Sequence, residues 1–99
     1  MDEEFPGSIG ILFADLHLPE CHSLKMKRGI LQRIQQRIRA QYNVSVSELE
    51  YQDKWQRSLL GFAIICSDSA ILEHQLQNIA LWLQENYPEQ TLRTTVNII

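Results

Sequence analysis

One stretch limits the folds open to this chain more than any other. From Ser8 to Leu18 nearly every position is apolar, and on both alternating parities. Gly10, Leu12, Ala14, Leu16 and Leu18 fall on one face of an extended strand; Ile9, Ile11, Phe13, Asp15 and His17 fall on the other. A strand of that kind is either covered on both faces or central in its sheet. Pro19 cannot donate to a ladder and ends it.

The remaining segments supply the neighbours. Ser23 is a good N-cap, and Leu24, Leu31, Ile34, Ile38 and Tyr42 then share one helical stripe running to about Gln41. Met26 and Ile30 border the stripe. Lys27 falls on it, at the helix mouth, where its chain can reach past the sheet end. Gly29 costs this helix about 1 kcal/mol against alanine. Residues 43–51 read as an edge strand with a change of phase, which a bulge near Ser47-Glu48 reconciles. Residues 52–57 form a polar connector around an isolated Trp55. Residues 58–67 are a strand apolar on both faces. Ser67-Asp68-Ser69 offers caps for a second helix, with Leu72, Leu76, Ile79, Leu83 and Tyr87 as its stripe and Pro88 as its stop. Residues 91–99 close the chain as a strand with Leu92, Thr94, Val96 and Ile98 on one face.

Strand, helix, strand, strand, helix, strand is the ferredoxin-like α+β order, β-α-β-β-α-β. It predicts a four-stranded antiparallel sheet with two helices on one face and spatial strand order fourth, first, third, second. Residues 8–99 make a single domain, preceded by an acidic tail, residues 1–7, expected to be disordered.

Charge is unevenly placed. The formal net charge is −3, which argues against wholesale wrapping by nucleic acid. Yet no acid occurs from Cys21 to Ser47, and six of the nine Lys and Arg residues lie on the first helix: Lys25, Lys27, Arg28, Arg33, Arg37 and Arg39. Two cysteines are few for a small secreted domain, so a reducing, cytoplasmic setting is expected. The acidic start lacks the basic and apolar regions of a signal peptide, and no apolar run is long enough to span a bilayer, so no membrane partner is expected.

In this topology the end of the first strand and the end of the second lie at the same edge of the sheet. The mouth of the first helix and the 52–57 connector are thereby brought together. Lys25, Lys27, Arg28, Lys54 and Arg57 gather there, with Glu20, Glu48, Glu50 and Asp53, and with the rings of His17, His22 and Trp55. Cys21 and Cys66 fall at opposite edges, which disfavours a disulfide.

His17-Leu18-Pro19, Ser23-Leu24-Lys25 with Lys27-Arg28, Asn43-Val44-Ser45-Val46 with Glu48, and Gln52-Asp53 followed by Trp55-Gln56-Arg57 and Gly61 together resemble the YlxP family of small bacterial proteins, a domain of unknown function. The resemblance covers about residues 8–99. It implies a ferredoxin-like fold, and its genomic setting beside translation and ribosome-maturation genes implies a partner in that machinery. The chain departs from the family pattern at Met26, usually polar or acidic, and at Gly29, usually basic.

Each candidate feature has a bland counterpart. The basic helix suits RNA phosphates, but its charges project around the whole polar arc, as on a solvated face. Trp55 between Lys54 and Arg57 suits base stacking, or it folds back over the sheet edge. Lys27 and Arg28 also suit ion pairs with Glu48 or Asp53 that fix the connector. Gly61-Phe62-Ala63-Ile64 is a poor match to the stacking strand of RNA-recognition domains. His17, Glu20, Cys21 and His22 fit no standard zinc spacing. Cys21 near a helix N-terminus suits a lowered pKa, but no paired base accompanies it. No catalytic constellation is identifiable, and no metal or cofactor is expected. Ile9, Ile11 and Phe13 leave an apolar sheet face for which self-association is the first expectation.

The sequence therefore favours a non-enzymatic cytoplasmic binding protein. Its expected partner is RNA or a ribosomal particle, met through Lys25, Lys27, Arg28, Arg39, Lys54, Trp55 and Arg57, with Glu48 and Asp53 as structural ion-pair partners. The alternative is a homodimeric protein-interaction or small-ligand regulatory module working through the open sheet face.

Overall fold

A computed structural model describes residues 6–99. The expected tail falls mostly on residues 1–5, which lie outside the described residues. The chain runs β1 (Ser8–His17), α1 (Leu24–Arg39), β2 (Ser45–Glu50), β3 (Arg57–Cys66), α2 (Ser69–Asn86) and β4 (Thr91–Ile98). The strands form one antiparallel sheet in the order β2-β3-β1-β4, the ferredoxin-like arrangement.

The apolar run that opens the chain is central, paired to β3 on one side and β4 on the other. Its two parities have different fates. Gly10, Leu12, Ala14 and Leu16 are buried beneath the helices, whereas Ile9, Ile11, Phe13, Asp15 and His17 are half-buried on the open face. Gly10 is required by close approach: a Cβ there would lie 2.6 Å from Leu76 Cδ1 and 2.8 Å from Ile98 Cδ1. Phe62 is fully buried, in register with Leu12 on the helix side, so it offers no ring to the open face.

Both helices start on the caps that the sequence offers. Ser23 accepts from Met26 N at 3.1 Å, and Asp68 Oδ1 accepts from Ala70 N and Ile71 N at 2.8 and 3.3 Å. Each satisfies donors that the first helical turn leaves unpaired. Lys27, Leu31, Ile34 and Ile38 line the buried side of α1; Leu72, Leu76, Ile79, Ala80 and Leu83 line that of α2. The helices also meet above the core. Arg37 lies over the Trp82 ring, 4.9 Å from its centroid, and donates to Asn86 Oδ1 at 3.3 Å.

Both outer strands carry an irregularity near the same end of the sheet. In β2 the register shifts between Glu48 and Glu50, one residue beyond the expected bulge. That shift lays Leu49 over Gly61, where a Cβ would come within 2.7 Å of Leu49 Cδ1. In β4 the pairing passes from Arg93 to Thr91. Leu92 is skipped and is 55% exposed, rather than joining Thr94, Val96 and Ile98 as the alternation predicted.

Candidate nucleic-acid interface

The connector between β2 and β3 is fastened to the mouth of α1 by backbone-directed bonds. Gln56 Nε2 donates to the carbonyls of Pro19 and Cys21, both at 3.2 Å, and Leu18 N donates to Gln56 O at 2.9 Å. Trp55 therefore sits beside the loop that leads directly into the Ser23 cap. Tyr51 opens the connector at φ 68°, a left-handed conformation that costs a bulky residue about 1–2 kcal/mol. Its carbonyl accepts from Lys54 N at 2.9 Å and from the Lys27 ammonium.

Lys27 is the pin of this arrangement. It is 1% exposed. Its Nζ lies 2.7 Å from Glu48 Oε2, and the same oxygen accepts from the buried Ser58 hydroxyl at 2.7 Å. A buried ammonium is tolerated only when paired and hydrogen-bonded, and here it has a carboxylate and a carbonyl. Lys27 thus points into the molecule, joining α1 to β2 and the connector, and is not a surface cation.

Arg57 occupies the other side of the sheet end. Its Nη2 donates to Asp15 Oδ1 at 2.9 Å, and its guanidinium lies over the Tyr51 ring, 4.6 Å from the centroid. The hydrogen bond that Arg57 donates to Asp15 raises its pKa against the opposing effect of desolvation, with further help from the Asp15 charge and from Tyr51, so the group is cationic at any working pH. Its side chain keeps 38% exposure and so still faces solvent.

Tyr51, Asp53, Lys54, Trp55, Gln56 and Arg57 line a surface concavity of about 550 Å³. Trp55 is 51% exposed there. Lys54, Trp55 and Arg57 therefore share one hollow, while Asp53 is exposed at its margin with no ion pair formed. Lys25 and Arg28 are exposed in the first turns of α1, and Lys25 borders a separate hollow with Ser23, Met26, Gly29, Ile30 and Arg33. Arg39 stands apart. It is eleven residues beyond Arg28 on one helix, about 16 Å along the axis, and it borders a different hollow at the far end.

Cys21 is fully buried, and that burial, helped by Glu20 and opposed by Lys27, pushes its thiol pKa up rather than down. A helix N-terminus does not activate a thiol sealed from water. Both Cys21 and Cys66 are free. Among the described residues, no three His, Cys, Asp or Glu side chains gather as a metal site requires. No described helix is long and apolar enough to cross a membrane.

Three positions that matter here escaped sequence reading as site residues. Gln56 gave no signal, since a glutamine's partners depend on where two remote carbonyls arrive. Ser58 was indistinguishable from any strand-opening serine. Asp15 did carry a signal: it is the single acid within an otherwise apolar strand.

The fold and this rim define a small ferredoxin-like α+β domain with a pinned connector, an exposed tryptophan and cations from two elements. The chain belongs to the family described as "Protein of unknown function (DUF503)", which matches residues 9–96. It is similar to "Uncharacterized protein YlxP" of Bacillus subtilis (strain 168), at 37% identity over 81 residues, covering 82% of this chain and 87% of that one. Among solved structures it is similar to "De novo designed protein Foldit4", with a TM-score of 0.61 over 94% of this chain and 96% of that one. At 12% identity that likeness speaks for the fold alone.

Proposed function

We propose that this is a non-enzymatic RNA-binding protein whose rim takes single-stranded RNA. Trp55 stacks a base, Lys54 and Arg57 face the adjoining backbone, and Lys25 and Arg28 extend the cationic track along the helix mouth. The observation that carries this reading is the half-exposed Trp55 ring in a hollow that also holds Lys54 and Arg57. An aromatic face beside cations is the arrangement that single strands use, with stacking worth about 1–3 kcal/mol per base. Two details narrow the surface expected from sequence: Lys27 is spent on Glu48, and Arg39 lies too far along α1. Two free cysteines suit a reducing, RNA-containing compartment.

The test is binding of a fluorescently labelled single-stranded RNA, followed by anisotropy. Trp55→Ala is expected to weaken binding about tenfold or more. The pair Lys25→Glu with Arg28→Glu is expected to abolish it at moderate salt, whereas Arg39→Glu leaves it nearly unchanged. Equal losses for Arg39→Glu and for the helix-mouth pair would show a diffuse charge effect and remove the rim from the account.

A further inference from the structure

We propose that the open face of the sheet is covered by a second copy of this chain, face to face about a two-fold axis. This inference does not depend on the RNA reading. Both helices lie on one face of the sheet. On the other, the register aligns Ile65, Ile9 and Ile99 in a row across β3, β1 and the end of β4, with Ile11, Phe13 and Leu49 behind them. Ile65 is 71% exposed, Ile99 62% and Leu49 43%. Among the described residues, the other exposed large apolar side chains are Trp55, in the connector, and Met26, Ile71, Leu81 and Leu92, on helices or at a bulge. A contiguous apolar patch on a sheet face marks a contact surface, whereas scattered residues need no explanation.

Two features select a second copy over a foreign partner. The first is charge. The ionic groups on this face are Asp15, Arg57 and Arg93, with Glu50 at the β2 edge; Asp15 and Arg57 already pair at 2.9 Å, and the sum is zero. The bordering positions are the neutral Ser45, Ser47, Thr95 and Asn97. A face without net charge neither repels its own kind nor steers an oppositely charged partner. The second is shape. Ile65 protrudes, while two residues away on the same strand Ala63 is small and lies opposite Ser45. A protruding and a small residue on the same strand give the self-complementary relief that an isologous contact requires.

The available area suffices. Four strands at about 4.8 Å, each presenting about eight residues at about 3.3 Å, offer about 500 Å² in projection. Two such faces bury about 1,000 Å², the lower bound for a specific interface. A contact at that lower bound belongs with the weak, reversible interfaces. Arg57 lies eight residues from Ile65 along β3, about 26 Å away, at the border of this contact.

Sedimentation equilibrium of the full chain over about 1–100 µM tests this in the concentration range of such interfaces. The expected mass rises from 11.6 kDa toward twice that value. Ile65→Lys and, separately, Ala63→Glu are expected to hold the chain as a monomer with an unchanged circular dichroism spectrum. Leu81→Lys, on the outer side of α2, is expected to leave the dimer intact. A monomer at every concentration overturns the proposal. So does a dimer that survives both sheet variants or one that Leu81→Lys dissolves.

Discussion

Helices α1 and α2 stand in equivalent places in the two halves of the fold, and their buried stripes have the same spacing. Lys27, Leu31, Ile34 and Ile38 correspond position for position to Leu72, Leu76, Ile79 and Leu83. The exposed sides differ sharply. That of α1 carries five cations, Lys25, Arg28, Arg33, Arg37 and Arg39, and no acid, whereas α2 carries no Lys or Arg and holds Glu73 and Glu85. The shared stripe docks a helix on the sheet without help from charge. What α1 adds is at its mouth: where α2 starts its stripe with Leu72, α1 starts with a lysine that holds the β2–β3 connector. The comparison separates the part of α1 that builds the fold from the part left free to meet a partner.

The largest effect is expected from breaking that substitution. Lys27→Ala leaves Glu48 poorly solvated and unpaired, and a cost of about 3–5 kcal/mol in chemical denaturation is expected, at least that of Leu72→Ala. Lys27→Met combined with Glu48→Gln sharpens the point. The pair removes both charges and keeps an acceptor for the Ser58 hydroxyl, so it should recover most of the loss, with a coupling of about 2 kcal/mol in the double-mutant cycle. Strict additivity would mean that the two groups do not depend on each other. Next in size is Gly29→Ala. Nothing lies within 4 Å of a Cβ there, so the change should stabilise the protein by about 1 kcal/mol and narrow the difference between the helices. If the variant is no more stable, the α1 backbone is not that of an ordinary helix.

A smaller effect concerns pH. The folded-state pKa of Cys21 is raised above its ordinary value of 9.0 by burial. Its contribution is then fully present below about pH 9 and is lost as pH rises through the folded value. The native thiol should also resist alkylation at pH 8, while the half-buried Cys66 reacts first. Mass spectrometry after a timed iodoacetamide pulse distinguishes the two. Faster labelling at Cys21 would mean that the helix mouth opens readily.

The fold was legible because its information is periodic. The unbroken apolar run of residues 8–18 reports a central strand, the four-three-four stripes report a helix face, and the order of elements leaves few topologies. The two departures, a bulge one residue later than expected in β2 and the exposed Leu92, sit at register shifts, where alternation stops reporting which side a residue faces. The rim was legible in part. That the connector and the helix mouth meet followed from topology. That Lys27 turns inward was foreshadowed by its place on the apolar stripe, but its bond to the Tyr51 carbonyl depends on a left-handed residue that no pattern announces. The remoteness of Arg39 follows from helix rise alone. The Gln56 clamp and the Arg57–Asp15 pair arise from residues 35 to 42 positions apart, and a single chain carries no local trace of them.

The account rests most heavily on Trp55 touching a bound strand. Trp82 is the other tryptophan, so a Trp82→Phe background isolates the Trp55 emission. Titrating this protein with a single-stranded RNA at low salt should quench that emission to saturation. With about three phosphates contacted, the apparent affinity should fall about twentyfold between 50 and 200 mM salt. Emission that stays constant while RNA binds, or quenching that ignores salt, would contradict the account.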